Sequence, residues 1–206
     1  MGARLYYNKG TMNCGKSAQL LMVRESYIEQ GKEVALFKSV LDTRDGCFVK
    51  SRALDGAVEA IQVGLFSRDE MYNHVKQNPV DCVLVDEAQF LSEDQVEELA
   101  RITDELDIPV IAYGLLTDFQ TNLFKGSQRL LEIADKTSEM KTVCWYCTRK
   151  ALFNLRVENE IPIFNGEQIQ VGGNESYRPV CRSCYTQSKQ LGVLPQRVLR
   201  NVPITK

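Results

Sequence analysis

The stretch Gly10-Thr11-Met12-Asn13-Cys14-Gly15-Lys16-Ser17 restricts this chain more than any other. It matches the phosphate-loop pattern G-x-x-x-x-G-K-[ST] at every fixed position. Leu5-Tyr6-Tyr7 before it reads as a short buried strand, and the residues from Ala18 to Val23 begin a helix. That strand–loop–helix setting is the context the motif needs. Its glycines let backbone N–H groups turn inward around phosphate oxygens, and the helix N-terminus adds the positive end of its dipole. Lys16 is expected to bring a full charge to the β- and γ-phosphates, and the Ser17 hydroxyl to ligate Mg²⁺. All eight residues of the stretch are therefore assigned to a nucleoside triphosphate, ATP being the expected one.

The surrounding pattern predicts an α/β fold. Leu20, Leu21, Val23, Tyr27 and Ile28 recur near helical spacing, Gly31 is a plausible stop, and Glu33 to Lys38 reads as a second strand. Strand, loop, helix and strand within so short a span make a βαβ unit, hence a parallel sheet flanked by helices. Asp42-Thr43-Arg44 follows at the carboxyl end of that strand, where ligand-binding loops of open sheets gather. Ala57 to Val63 reads as a further strand. Ser67 to Gln77 reads as a helix with Ser67 as N-cap. His74, the only histidine, is given no role.

Asp81-Cys82-Val83-Leu84-Val85-Asp86-Glu87 carries the second decisive signal. Its apolar run describes a central strand buried on both faces. A carboxylate at the end of such a strand is costly unless a cation awaits it, so Asp86 is read as the acid on the Mg²⁺ side. Alternation along the strand would send Glu87 the other way, toward a group that gains or loses a proton.

At Asp86-Glu87-Ala88-Gln89-Phe90 the chain begins to resemble a known family. With Gly10–Ser17, Asp42-Thr43-Arg44 and Gly114-Leu115-Leu116-Thr117-Asp118-Phe119, it is similar to the thymidine kinases shared by bacteria and animal cytosol, from Leu5 to about Tyr185. The resemblance implies that Glu87 is the general base for a nucleoside 5′-hydroxyl and that Lys16 shares the catalysis. Asp86, Glu87, Ala88 and Gln89 would join the nucleotide site. Ser17 and Asp86 would organise Mg²⁺, with Asp42 and Arg44 nearby. Gln89, Phe90 and Phe119 would line the nucleoside site. Leu116, Thr117, Thr121, Asn122 and Leu123 depart from the animal pattern and receive no role.

Ser92 and Gln95 form an S-x-x-Q capping box, followed by the apolar stripe Val96, Leu99, Ile102 and Leu106. Ile108 to Tyr113 reads as a strand, and Gly126 to Ile133 as a helix closing the first domain.

Cys144-Trp145-Tyr146-Cys147 and Cys181-Arg182-Ser183-Cys184 form two C-x-x-C pairs. Each can grip one Zn²⁺ from a tight turn, giving a closed Cys₄ site whose metal would be structural. The insert between them contains strand candidates Phe153–Val157, Ile161–Phe164 and Gln168–Val171. It ends in Gly172-Gly173-Asn174-Glu175-Ser176-Tyr177. By the resemblance, this segment is a lasso over the base, lined by Gln168, Ile169, Gln170, Val171 and Gly172, with Tyr177 reaching toward the sugar. Asn154 falls where family members differ and is left without a role.

The expected domains are residues 1–135 for nucleotide binding, 136–190 for zinc and lasso, and an extended tail at 191–206. Composition is that of a soluble globular protein, with 44% hydrophobic and 25% charged residues. Neither a bilayer-spanning run nor a signal pattern is apparent, so a cytoplasmic location is expected. A net charge of −2 provides no global field for nucleic acid. The expected function is ATP-dependent phosphorylation of thymidine for DNA synthesis. By resemblance, a homotetramer and feedback by thymidine triphosphate go with it. The alternative is a P-loop ATPase whose zinc ribbon acts on nucleic acid.

Overall fold

The computed structural model describes residues 2–43, 45–64, 68–169 and 176–196. The main sheet is built from β1 (Leu5–Gly10), β2 (Val34–Ser39), β5 (Ile61–Val63), β6 (Cys82–Asp86), β7 (Val110–Gly114) and β8 (Lys136–Met140). Their order across the sheet is β5-β2-β6-β7-β1-β8, and every pairing is parallel. This is the α/β architecture expected from the βαβ pattern. Because all six strands run the same way, the segments after β1, β2, β6 and β7 emerge along one edge.

The central strand β6 is buried throughout, as its apolar run requires. Its side chains alternate between two cores. Val83 and Val85 join the cluster holding Met71, Val75, Leu99, Ile102 and Leu130, whereas Cys82 and Leu84 join Leu20, Leu21 and Tyr113. The second cluster is supplied by α1 (Lys16–Ile28). The first is supplied by α2 (Glu70–Gln77), α3 (Glu93–Leu106) and α4 (Lys125–Ile133). Each fully buried aliphatic side chain here is worth roughly 1.5–3 kcal/mol of transfer free energy.

Local chemistry sets the start of α3, and a distant partner serves the start of α2. Ser92 and Gln95 form the expected reciprocal box at the start of α3: Gln95 N donates to Ser92 Oγ and Ser92 N to Gln95 Oε1. Helix α2 begins later than predicted, at Glu70 after Asp69, and Ser67 lies outside the described residues. Its first turn is satisfied by another helix, since Tyr72 N donates to Glu98 Oε1 at 2.7 Å. No local sequence signal encodes that partner.

The strand expected over Ala57–Val63 divides. One part belongs to β4 (Leu54–Glu59), which pairs antiparallel with β3 (Phe48–Ser51), and the other is β5 in the main sheet. Ala60, between them, donates its N–H to Cys47 O at 2.8 Å as the chain changes sheets.

Strand β8 was not anticipated, because Lys-Thr-Ser-Glu-Met is polar and sits at an exposed sheet edge without apolar alternation. Its pairing with β1 leads us to propose that the border between the two units follows Met140.

The remaining described chain forms a small antiparallel sheet, β10-β9-β11, from β9 (Phe153–Glu158), β10 (Ile161–Ile163) and β11 (Tyr177–Val180). Helix α5 (Arg182–Leu191) packs beside it. Gln168 and Ile169 lie outside any strand, and Gln170 and Val171 lie outside the described residues.

Candidate active site

The phosphate loop occupies the turn from β1 into α1. Gly15 has φ +89°, a left-handed conformation that a side chain would strain, and it directly precedes α1. Lys16 folds back so that Nζ donates to Thr11 O at 2.8 Å, and it lies 3.9 Å from Cys14 Sγ. Ser17 Oγ donates to Asp86 Oδ2 at 3.3 Å, joining the loop to the end of β6.

Asp86 is 4% exposed, and its Oδ1 has no hydrogen-bond partner among the described residues. Burial, helped by the adjacent Glu87 charge and opposed by Lys16, pushes its carboxyl up to about 7. An orphaned carboxylate oxygen beside a hydroxyl suits a hard cation, so Ser17 and Asp86 are fit to hold Mg²⁺. Lys38 stands beside Asp86 across the β2–β6 register and is 1% exposed. Its ammonium donates to Asp42 Oδ2 at 3.0 Å, Gly46 O at 3.1 Å and Phe48 O at 3.0 Å. All three donors are thus used, which offsets the cost of burying the charge. Sequence reasoning missed Lys38. A lone lysine ending the apolar run from Val34 to Phe37, with an aspartate four positions on, was the available signal.

Glu87 does not follow the strand alternation expected of it. The strand ends at Asp86, and Glu87 takes φ +51° before a short 3₁₀ turn over Ala88–Phe90. Gln89 Nε2 donates to Glu87 Oε2 at 2.5 Å. The Gln89 amide is oriented from its other side, because Oε1 accepts the N–H of Leu115 at 2.9 Å. Leu115 is itself anchored, its carbonyl accepting from Tyr7 and Ser127 hydroxyls. Gly114 permits this approach: a Cβ there would meet Gln89 Oε1 at 2.8 Å.

These groups surround one cavity of about 350 Å³. Met12, Asn13, Gly15, Lys16 and Ser17 line it, together with Asp42, Asp86, Glu87 and Gln89. So do Phe90, Phe119, Gln168, Ile169 and Tyr177. Gly10, Thr11, Cys14 and Ala88 do not line it, and Arg44, Gln170, Val171 and Gly172 lie outside the described residues. Phe124 and Asn154 also line the cavity, although neither was singled out for it. Phe90 and Phe124 meet edge to face at 5.8 Å. Phe119 packs under the Arg156 guanidinium, and its carbonyl accepts from Tyr185 Oη at 2.7 Å. Asp118 accepts the N–H groups of Gln120 and Asn122, and Gln168 Nε2 at 3.0 Å.

The ordered succession of phosphate loop, Asp86-Glu87 and this aromatic wall invites comparison with known proteins. A family model described as thymidine kinase matches residues 3–185. The chain belongs to the thymidine kinase family. A curated protein named thymidine kinase from Streptococcus pyogenes is 50% identical over 186 residues, covering 89% of this chain and 97% of that protein. One of the same name from Streptococcus agalactiae is 49% identical over 187 residues, with the same coverage. Among solved structures, the Legionella pneumophila ATPase DotB matches 73% of this chain and 44% of its own, at 13% identity and TM-score 0.41. A likeness that slight adds nothing to the family assignment.

Away from the cavity, the sulfurs of Cys144, Cys147, Cys181 and Cys184 lie within 4.8 Å of one another. Cys147 Sγ is 3.6 Å from Cys181 Sγ and 3.8 Å from Cys184 Sγ. A tetrahedron with metal–sulfur bonds of about 2.3 Å has edges of about 3.8 Å. The four thiols therefore fit Zn²⁺.

Proposed function

We propose that this chain transfers the γ-phosphoryl group of ATP to the 5′-hydroxyl of thymidine, giving thymidine monophosphate and ADP. The observation that carries this reading is the place of Glu87. It lines one cavity together with the phosphate loop, Phe90 and Phe119. Phosphoryl transfer needs little from the protein beyond alignment and neutralisation of charge. Lys16 would leave the Thr11 carbonyl for the β- and γ-phosphates. Ser17 and Asp86, with Asp42 held by Lys38, would hold Mg²⁺, which when bound neutralises phosphate charge. Glu87, kept in direction by Gln89, would accept the hydroxyl proton as the new O–P bond forms. Gln168, Ile169 and Tyr177 would enclose the nucleoside, and Zn²⁺ on the four cysteines would hold that unit in shape.

Family membership also supports a homotetramer, feedback binding of thymidine triphosphate and a cytoplasmic place. No helix among the described residues is long and apolar enough to cross a membrane. The test is a kinase assay with ATP, Mg²⁺ and a panel of deoxynucleosides, with and without single-stranded DNA. Thymidine-dependent ADP release indifferent to DNA is the expected result. Hydrolysis stimulated by DNA without nucleoside would overturn the reading in favour of a nucleic-acid ATPase.

A further inference from the structure

One peptide of the phosphate loop is gripped from both sides. Its carbonyl, on Thr11, accepts from Lys16 Nζ at 2.8 Å. Its N–H, on Met12, donates to Asn154 Oδ1 at 2.8 Å. The first partner is local, but the second arrives from the cysteine-centred unit, where Asn154 lies on β9 opposite Pro179 of β11. Asn154 is 4% exposed, so this bond is made away from competing water. A phosphate loop acts by turning its N–H groups toward the ligand, yet the Met12 N–H is committed to a side chain instead. That commitment sets the plane of the peptide, and with it the carbonyl on which Lys16 rests.

We infer that Asn154 is a positioning residue for the phosphate loop. Through the Met12 N–H it holds the loop in the turn that presents its other N–H groups to phosphate, and so ties nucleotide affinity to the integrity of the cysteine-centred unit. The inference rests on the loop being the ATP site. Asn154 also lines the cavity, so the test separates a nucleotide-side task from a nucleoside contact. An unpartnered buried N–H is costly, so without Asn154 the peptide would turn to find another acceptor. The loop would then meet the phosphates less well preorganised.

The test uses full-length, zinc-loaded Asn154→Ala, with Asn154→Leu as a second variant that fills the space without an acceptor. Equilibrium binding of a non-hydrolysable ATP analogue is measured in the absence of nucleoside, and KM is measured for ATP and for thymidine separately. The expected result is analogue binding weaker by about five- to tenfold, with a parallel rise in KM for ATP and unchanged zinc stoichiometry. Wild-type analogue affinity in either folded variant overturns the inference. If KM for thymidine alone rises, Asn154 is a nucleoside contact. Loss of zinc by both variants would also overturn it, since the residue would then serve the fold of the small unit. Failure of wild-type protein to phosphorylate thymidine is a separate result, which would leave the binding comparison intact.

Discussion

In the large sheet, the acid at the end of β6 is held by strands buried on both faces, and its neighbours come from three different crossovers. In the small unit, four cysteines stand where an apolar core would otherwise be, and the apolar cluster is built around them. The first region can therefore afford an unfavourable feature. Asp86 is kept buried with an unpartnered oxygen, and Lys38 is kept buried beside it. The second is a sheet of three short strands, too small to be independently stable on apolar burial alone. The proposed Zn²⁺ on its four cysteines would hold its geometry. The lesson is that chemical preorganisation sits on the rigid element, whereas the enclosing surface belongs to the part that a ligand or metal can set.

The sharpest way to break this comparison is Glu87→Gln. If catalysis is confined to the edge of the large sheet, turnover should fall by about 10²- to 10⁴-fold. Equilibrium binding of both substrates should stay within a few-fold, measured by calorimetry. Wild-type turnover in a folded, substrate-binding variant would remove Glu87 from the chemistry.

Zinc removal by a chelator tests the other side. Thymidine affinity should drop by at least about tenfold, as is common when a metal-organised site loses its shape. Affinity for an ATP analogue should fall no further than it does in Asn154→Ala. Equal, large losses at both sites would show that the two regions do not stabilise their ligands separately.

The smallest effect concerns the cost stored at Asp86. Its folded-state carboxyl is raised from 3.8 to about 7 by burial and by Glu87. Between those values the unfolded chain has released a proton that the folded chain retains. The metal-free protein should accordingly lose stability as pH rises through that window. Asp86→Asn should abolish that slope and raise the melting temperature of the metal-free protein at pH 8, while ruining Mg²⁺-dependent activity. An unchanged slope in thermal melts across pH 4–8 would show that burial does not penalise this carboxylate.

Much of the site was legible because its parts are local. The phosphate loop, the acid pair after an apolar run, the two cysteine pairs and the Ser92 box each lie within a few consecutive residues. Each spacing encodes its own chemistry. Lys38 was harder to find, since its meaning comes from Asp42 and from two carbonyls of a loop that only the folded hairpin brings round. Gln89 lines the cavity, and its bond to Glu87 goes with one from the N–H of Leu115, a residue on another strand's loop.

By itself the sequence determined that there would be a parallel sheet, a phosphate loop, an acid at the end of a buried strand and a clamp of four thiols. These follow from periodicity and short-range spacing, which act within one element. Tertiary structure alone decided that the polar stretch Lys136–Met140 joins the sheet as its edge. It decided that Glu98 caps a helix other than its own, and that Asn154 reaches the Thr11–Met12 peptide across 142 positions of chain. The physical reason is the same in each case. A buried N–H must find an acceptor wherever packing offers one, and which acceptor is within reach depends on how the layers meet.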